Sequence, residues 1–163
     1  MTMKIDLDEI DQHLLEILQE NGKATISDIK EKLKERSGQL KSPTAIRVRI
    51  NKLEKNKLIK KYSAILDCHQ LGYKEMVIAS LRIKTSKKMD DIREEIKDLK
   101  EINAAYLTSG EFPLILMAKC LNHEDSLHLV EKLREFGWVQ EVKTQIVMDC
   151  IKEDPGVLVP KNP

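Results

Sequence analysis

The stretch SPTAIRVRINKLEKNKLI, residues 42–59, decides how the N-terminal part of this 163-residue chain folds. It opens with Ser42 and Pro43, residue types preferred at the cap and in the first turn of a helix, and it predicts a helix that ends near Lys57. Three apolar residues spaced by four and three positions would share one face of that helix: Ile46, Ile50 and Leu53. The opposite face is polar and basic, which indicates a negatively charged partner.

Positive charge is concentrated around this helix. Residues 41–61 contain eight lysines and arginines against a single acid, Glu54, and therefore carry a net charge of +7. The whole chain has a formal net charge of only +1, so the remaining residues together carry −6. Because an ordinary solvated surface mixes both signs, a basic segment in an otherwise acidic chain indicates a nucleic-acid contact.

Two further helices are predicted upstream. The first begins at a cap, Asp6 or Asp8, and ends at Asn21, and the second runs from a cap at Thr25 to about Arg36. Their apolar residues recur at helical spacing: Leu7, Ile10, Leu14, Leu15, Ile17 and Leu18 in the first helix, Ile29 and Leu33 in the second. Local signals alone therefore predict three short helices in this part of the chain.

The rest of the chain alternates between strand and helix patterns. LIKKYSAILD, residues 58–67, predicts a linking strand. Further strands are predicted at residues 76–84, 102–108, 114–121 and 139–151. Between them lie two helices, one with Met89, Ile92, Ile96 and Leu99 at helical spacing, the other capped by Asn122 with an inner stripe of Leu127, Val130 and Leu133.

The order βαββαβ predicts a ferredoxin-like sandwich with both helices on one sheet face. The other face, formed by Val77, Ala79 and Leu81 or by their alternates, needs a cover, and dimerisation would supply it. The residues after Asp154 include several prolines and predict an extended tail, in which Val157 to Val159 can pack on a neighbour.

The sequence argues against disulfide bonds, a membrane span, a signal peptide and a zinc site. Three distant cysteines read as reduced thiols, and no apolar run approaches the roughly 20 residues that span a bilayer. The start, MTMKIDLDEI, lacks the features of a signal peptide, so we expect a cytoplasmic protein. Cys120, His123 and His128 do not have the spacing of a closed zinc site, and no metal or cofactor is predicted.

Three stretches resemble the Lrp/AsnC (feast/famine) transcription regulators. LDEIDQHLLEILQENGKA is similar to that family's opening helix, residues 42–67 are similar to its recognition helix and linker strand, and YLTSGEFPLIL is similar to its Y-x-T-T-G-D-Y-D segment. The resemblance spans nearly the whole chain and implies an α+β fold. Its expected parts are a winged helix-turn-helix domain (1–61), a strand linker (62–74), a ferredoxin-like βαββαβ domain of the RAM or ACT type (75–152) and an extended tail (153–163).

The resemblance implies a sequence-specific DNA-binding transcriptional regulator, not an enzyme, that forms a homodimer or a higher oligomer such as an octamer. The residues implied for double-stranded DNA are Ser42, Thr44, Arg47, Arg49, Asn51 and Lys52, and the charge of Lys55 suits a further phosphate. Arg49 also lies beside the apolar stripe, where an intramolecular salt bridge is the alternative. An amino-acid effector, where there is one, would bind between C-terminal domains at Thr108, Ser109, Gly110, Glu111, Phe112 and Thr144.

Two departures from the family pattern affect these expectations. KERSGQLK, residues 34–41, is longer than the turn of about 3 to 4 residues typical of a helix-turn-helix, so the placement of the third helix can differ. Pro113 replaces the second aspartate of the family segment and removes a carboxylate and a backbone donor, which predicts weaker or altered effector selectivity.

Two other functions compete with regulation. The first is a sirohaem-decarboxylase-like enzyme subunit, since such enzymes resemble the same family. Their chemistry needs histidines and basic residues around a haem-sized pocket. The second domain offers His123 and His128 for this, but on a helix that is expected to face outward. An amino-acid sensor or scaffold without DNA binding is the other alternative. Such a protein would have no need for the +7 segment.

Overall fold

A computed structural model describes residues 6–84 and 87–160. The chain divides into two compact units: the first contains the residues up to Ile65 together with those from Asp154 onward, and the second contains Leu66–Glu153. Two ends of the predicted domains lie outside the described residues: residues 1–5 of the DNA-binding domain and residues 161–163 of the tail. The unit boundary therefore falls inside the predicted linker.

The first unit contains the three predicted helices: α1 (Glu9–Glu20), α2 (Ile26–Ser37) and α3 (Pro43–Lys55). Each begins at a side chain that caps a backbone N–H, as the sequence indicated. Asp8 accepts from the N–H of Asp11 at 2.8 Å, and Thr25 forms a reciprocal capping box with Asp28. Ser42 caps α3, as described with the site below.

The helices pack around one aliphatic core. Its buried members are Ile10, Leu14, Ile17, Ile29, Leu33 and Ile46. On the surface, Arg36 of α2 forms ion pairs with Glu16 and Glu20 of α1, the latter at 2.7 Å. All six buried members belong to the predicted apolar stripes, whereas Leu7, Leu15 and Leu53 of those stripes are not part of this cluster.

The turn between α2 and α3 is shorter than the sequence suggested. α2 continues to Ser37, so residues 34–37 are helical and only residues 38–42 connect the two helices. Gly38 closes α2 in the left-handed region, at φ 67°, a conformation that glycine adopts without the steric cost of a side chain.

The predicted wing and linker strand are not found: the described residues between Lys55 and Glu75 contain no β-strand. A strand needs a hydrogen-bonded neighbour, and none of the four described strands pairs with this segment. It is held instead by Tyr62, whose hydroxyl donates to Glu54 Oε1 at 2.9 Å. Burial, together with that hydrogen bond and the charge of Glu54, raises the pKa of Tyr62 to about 12.

The C-terminal tail belongs to the first unit. The side-chain amide of Gln19 in α1 donates to the carbonyl of Val157 at 3.0 Å and accepts from its N–H at 2.7 Å. Leu158 beside it is 97% exposed. The tail is therefore held on α1 through its backbone.

The second unit contains β1 (Glu75–Ile83), α4 (Met89–Lys97), β2 (Ile102–Leu107), β3 (Leu114–Cys120), α5 (His123–Glu135) and β4 (Val139–Ile146). The strands form one antiparallel sheet in the order β2-β3-β1-β4. This is the predicted ferredoxin-like βαββαβ arrangement. β4 ends five residues before the predicted Ile151, because its partner β1 begins at Glu75 and the last ladder pair is Ile146 with Val77.

Both helices cover the same sheet face. Val77, Ala79 and Leu81 are buried beneath them and do not form the open face, so the alternates Met76 and Ile78 point to the other side. The inner stripe of α5 also differs from the prediction, since Ser126, Leu129 and Leu133 are buried whereas Leu127 is 54% exposed. Leu127 follows Ser126 by one position and is therefore rotated about 100° away from it.

Candidate nucleic-acid interface and effector turn

The rotation of α3 about its own axis determines which of its residues are accessible. Ile46 and Leu53 are fully buried, and Ile50 packs beside them against the core. The residues on the far side are exposed: Thr44, Arg47, Val48, Asn51, Lys52 and Lys55. All of the polar residues on that side are ones that the sequence predicted to contact DNA.

The cations on this outward face are not neutralised by any acid in the described part of the chain. Among the described residues, Arg47, Lys52 and Lys55 form no ion pair. Three more exposed lysines follow the helix: Lys57, Lys60 and Lys61. The face therefore presents fixed positive charge to a ligand, and it has the composition that phosphate contacts require.

Ser42 caps the N-terminus of α3, at one end of this face. Its Oγ accepts from the N–H of Ala45 at 3.1 Å and so defines where α3 begins. Pro43 lacks an N–H, and Thr44 follows it in the exposed first turn. The amides of a helix N-terminus attract anions, so the cap also favours the approach of a phosphate to this end of α3.

Arg49 is turned away from the outward face. Its Nη1 donates to Asp8 Oδ2 at 2.6 Å and to Asp11 Oδ1 at 2.7 Å, and the side chain of Asp11 is only 6% exposed. Burial alone would raise the pKa of Asp8, but the N–H of Asp11 and the guanidinium outweigh it and lower that pKa. The hydrogen bond that Arg49 donates to Asp11 is the main reason why the pKa of Arg49 is raised. Arg49 thus joins α3 to α1 by the alternative that the sequence left open.

The predicted effector segment forms the tight turn between β2 and β3. The N–H of Thr108 donates to the carbonyl of Pro113 at 2.7 Å, and its Oγ1 donates to the carbonyl of Phe112 at 3.2 Å. Gly110 has φ 111°, where any other residue would be strained. These contacts fix the shape of the turn and leave Ser109 exposed at its tip.

A group of charges surrounds the turn. Arg82 of β1 forms ion pairs with Glu111 and with Glu141, the latter at 3.3 Å. The ring of Phe112 has Arg82 5.0 Å and Lys143 4.0 Å from its centroid, both within cation–π distance. Within the described part of the chain, the Nε–H of Arg82 is buried and has no acceptor. Glu111, one of the residues expected to bind an effector, is thus already paired.

Thr144 is not brought to this turn. It lies opposite Ala79 in the β1–β4 ladder, and Ala79 is buried under the helices. Its neighbour Lys143 points to the opposite face and contacts Phe112 instead. The structure therefore places residues 108–112 in one turn, with Arg82, Glu141 and Lys143 around it and without Thr144.

The structure offers no metal centre among the residues it describes. His123 Nδ1 lies 3.2 Å from Glu75, and Cys120 is buried, which raises the pKa of its thiol. None of the described helices is long and apolar enough to cross a bilayer.

Three helices with a basic third helix, followed by a ferredoxin-like domain, define the class of helix-turn-helix proteins that carry a C-terminal βαββαβ domain. Residues 76–157 match the family model described as the Lrp/AsnC ligand binding domain. The chain belongs to the Lrp/AsnC family.

Relatives of known name agree with this assignment. The HTH-type transcriptional regulator FL11 of Pyrococcus horikoshii is 29% identical over 151 residues, which cover 93% of this chain and 95% of the relative. An uncharacterized HTH-type transcriptional regulator of Pyrococcus furiosus is 30% identical over 154 residues, with 90% of this chain and 94% of the relative covered.

Solved structures share the fold. A transcriptional regulator from Neisseria meningitidis, crystallised as a complex with L-Met, superposes with a TM-score of 0.85 at 23% identity and covers 93% of this chain and 96% of its own. AsnC of E. coli gives a TM-score of 0.79 at 23% identity, with 91% and 97% covered.

Sequence reasoning missed four residues that the structure places at the two sites. Helical spacing already puts Val48 opposite the buried stripe, but only polar and charged residues were expected to contact DNA. Local patterns could not identify Arg82, Glu141 and Lys143, because they do not show the pairing of β1 with β4, which sets Arg82 opposite Glu141 and Ser80 opposite Lys143.

Arg49→Ala should lower the free energy of unfolding by roughly 1–3 kcal/mol, because it leaves the buried carboxylate of Asp11 without its partner. Arg47→Ala, the matched control on the exposed face of the same helix, should change it by less than about 0.5 kcal/mol. Urea denaturation at one protein concentration measures both. Equal losses in the two variants would contradict this assignment of Arg49.

The stability lost in Arg49→Ala should also depend on pH. The lowered pKa of Asp8 means that its contribution to folding is present at neutral pH and disappears as the pH falls through that pKa, below the ordinary value of 3.8. The stability difference between wild type and Arg49→Ala should therefore shrink in acid.

Proposed function

We propose that this protein is a sequence-specific transcriptional regulator that binds double-stranded DNA through the outward face of α3. The observation that carries the proposal is the separation of charge on this helix. Arg49 is used internally, whereas Arg47, Lys52 and Lys55 are exposed and have no acidic partner among the described residues. The names of the Pyrococcus relatives, HTH-type transcriptional regulators, support the same role.

The residue types on this face suit both parts of DNA recognition. The two lysines neutralise phosphates, which gives affinity without sequence information. Arg47 has two N–H donors that match the two acceptors of guanine in the major groove. Asn51 has one donor and one acceptor, which match the edge of adenine. A helix of this size fits that groove, so α3 is the element that we place there.

We propose that a second copy of the chain covers the open sheet face. That face presents the apolar side chains of Met76, Ile78, Ile115 and Met117, all partly exposed. A face of this kind on a soluble domain needs a partner, and twofold pairing is the commonest solution. Higher assembly, up to an octamer, is an extension of the same proposal.

We propose that an amino acid is the effector and that it acts at the turn between β2 and β3. The charges there, Arg82 and Lys143 against Glu111 and Glu141, include both signs that a zwitterion needs. The Neisseria regulator of similar fold was crystallised with L-Met, which makes amino acids the first ligands to test. Because Glu111 is already paired with Arg82, a ligand ammonium must compete for it, and binding should be weak.

We propose a binding role and no catalysis, in line with the regulators among its relatives. A regulator of transcription acts where the DNA lies, so the cytoplasm is its expected location.

The variant Arg47→Ala/Lys52→Ala should bind duplex DNA more weakly and with a shallower salt dependence, by about one unit of slope for each lost phosphate contact. The matched control Lys97→Ala/Lys100→Ala removes the same charge from the second unit and should leave the slope unchanged. Selection on random duplexes supplies the probe, and fluorescence anisotropy measures affinity against salt. A folded double variant with wild-type affinity and slope would refute the proposed interface.

Ile78→Glu should dissociate the assembly, because it buries a charge in the proposed subunit contact. Leu127→Glu introduces the same charge on an exposed position of α5 and should leave the assembly intact. Multi-angle light scattering measures the mass of each. The proposal fails if the wild type is a stable monomer at micromolar concentration.

Calorimetry with the common amino acids should find at least one weak ligand, with a selectivity altered by Pro113. Glu111→Ala should change its affinity, while Glu131→Ala, an exposed acid on α5, should not. Binding that ignores Glu111→Ala would place the site elsewhere, and no binding at millimolar ligand would leave the turn as a structural hairpin.

A further inference from the structure

One apolar residue lies in the middle of the polar outward face of α3. Val48 is 61% exposed, although the other aliphatic residues of the helix, Ile46, Ile50 and Leu53, are buried or packed against the core. An exposed β-branched residue gains nothing from packing in the free protein, and its helix propensity is only moderate. Stability of the isolated domain therefore does not explain it.

The position of Val48 is central to the face. It follows Ile46 by two residues and is rotated about 200° from it, which places it almost opposite the buried stripe. Its neighbours one turn before and one turn after are the residues that we assign to DNA: Thr44, Asn51 and Lys52. Any surface that contacts those three side chains must also meet the methyl groups of Val48.

The side chains on this face differ in length and therefore reach different parts of the DNA. Lysine and arginine can extend past the edge of the helix to phosphates, whereas valine is short and has a single preferred rotamer in a helix. Val48 can only contact what lies directly under the helix axis. In a major groove those are base edges, and the only apolar group that base edges present there is the C5-methyl of thymine.

We propose that Val48 is a specificity-determining residue that selects a thymine by contact with its C5-methyl group. This inference rests on the proposed function, since it requires α3 to enter the major groove. Burying the valine methyls against that methyl removes apolar surface from water, whereas cytosine lacks the methyl and the purines present polar edges at the same depth. The residue thus contributes selectivity and little of the salt-dependent affinity.

The test uses duplex chosen by wild-type protein from a random pool. Each thymine is replaced in turn by deoxyuridine, which removes the C5-methyl and keeps the base-pairing edge. For wild type, one position in each bound half-site should weaken binding about fourfold, the effect expected for one buried methyl-sized group. Val48→Ala should bind the thymine duplex less tightly and should be indifferent to uracil at that position.

Two controls make the result specific. Lys55→Ala should weaken binding to the thymine and uracil duplexes by the same factor, because it removes a phosphate contact. Circular dichroism confirms that Val48→Ala is folded, as expected for an exposed position. Wild-type binding that tolerates uracil everywhere, or the same uracil sensitivity in Val48→Ala, would overturn the assignment while leaving DNA binding intact. Absence of any duplex binding by wild type would overturn both this inference and the proposed function.

Discussion

Ile46, Ile50 and Leu53 fix the rotation of α3, and the rest of the proposed interface depends on that rotation. A short helix has one stripe to bury, so packing this stripe on α1 and α2 forces the opposite side outward. Arg49 reinforces the same orientation through its bonds to Asp8 and Asp11. The helix therefore keeps one cation for its own packing and presents the others, and it exposes Val48 among them.

In the second unit, the alternation of side chains along each strand decides which residues are buried and which are exposed. Every second residue of β1 and β3 lies under the helices, which leaves an apolar row on the open face. The antiparallel register of β1 and β4 sets Arg82 opposite Glu141, and the turn from β2 to β3 adds Glu111 and Phe112. The proposed oligomer contact and the proposed effector turn therefore both depend on this one sheet, and any effector bound at the turn would have to compete with ion pairs that the sheet already forms.

Local signals were enough for much of this structure. The caps at Asp8, Thr25 and Asn122 and the stripes of the three N-terminal helices were predicted because they depend on neighbouring residues. The described residues 56–74 form no strand, because a strand depends on a hydrogen-bonded partner, and Thr144 lies on the sheet face opposite Lys143, because its face depends on register. Whether Arg49 pairs with Asp11 or faces solvent depended on two helices meeting, which α3 alone could not decide.

The most direct test of the central claim is lysine reactivity in the unmodified protein, measured by mass spectrometry after brief acetylation with and without a selected duplex. If the outward face of α3 contacts DNA, Lys52 and Lys55 should become protected when duplex is added, while Lys97 and Lys100 of the second unit should react as before. Protection of the second unit with no change at Lys52 and Lys55 would contradict the account.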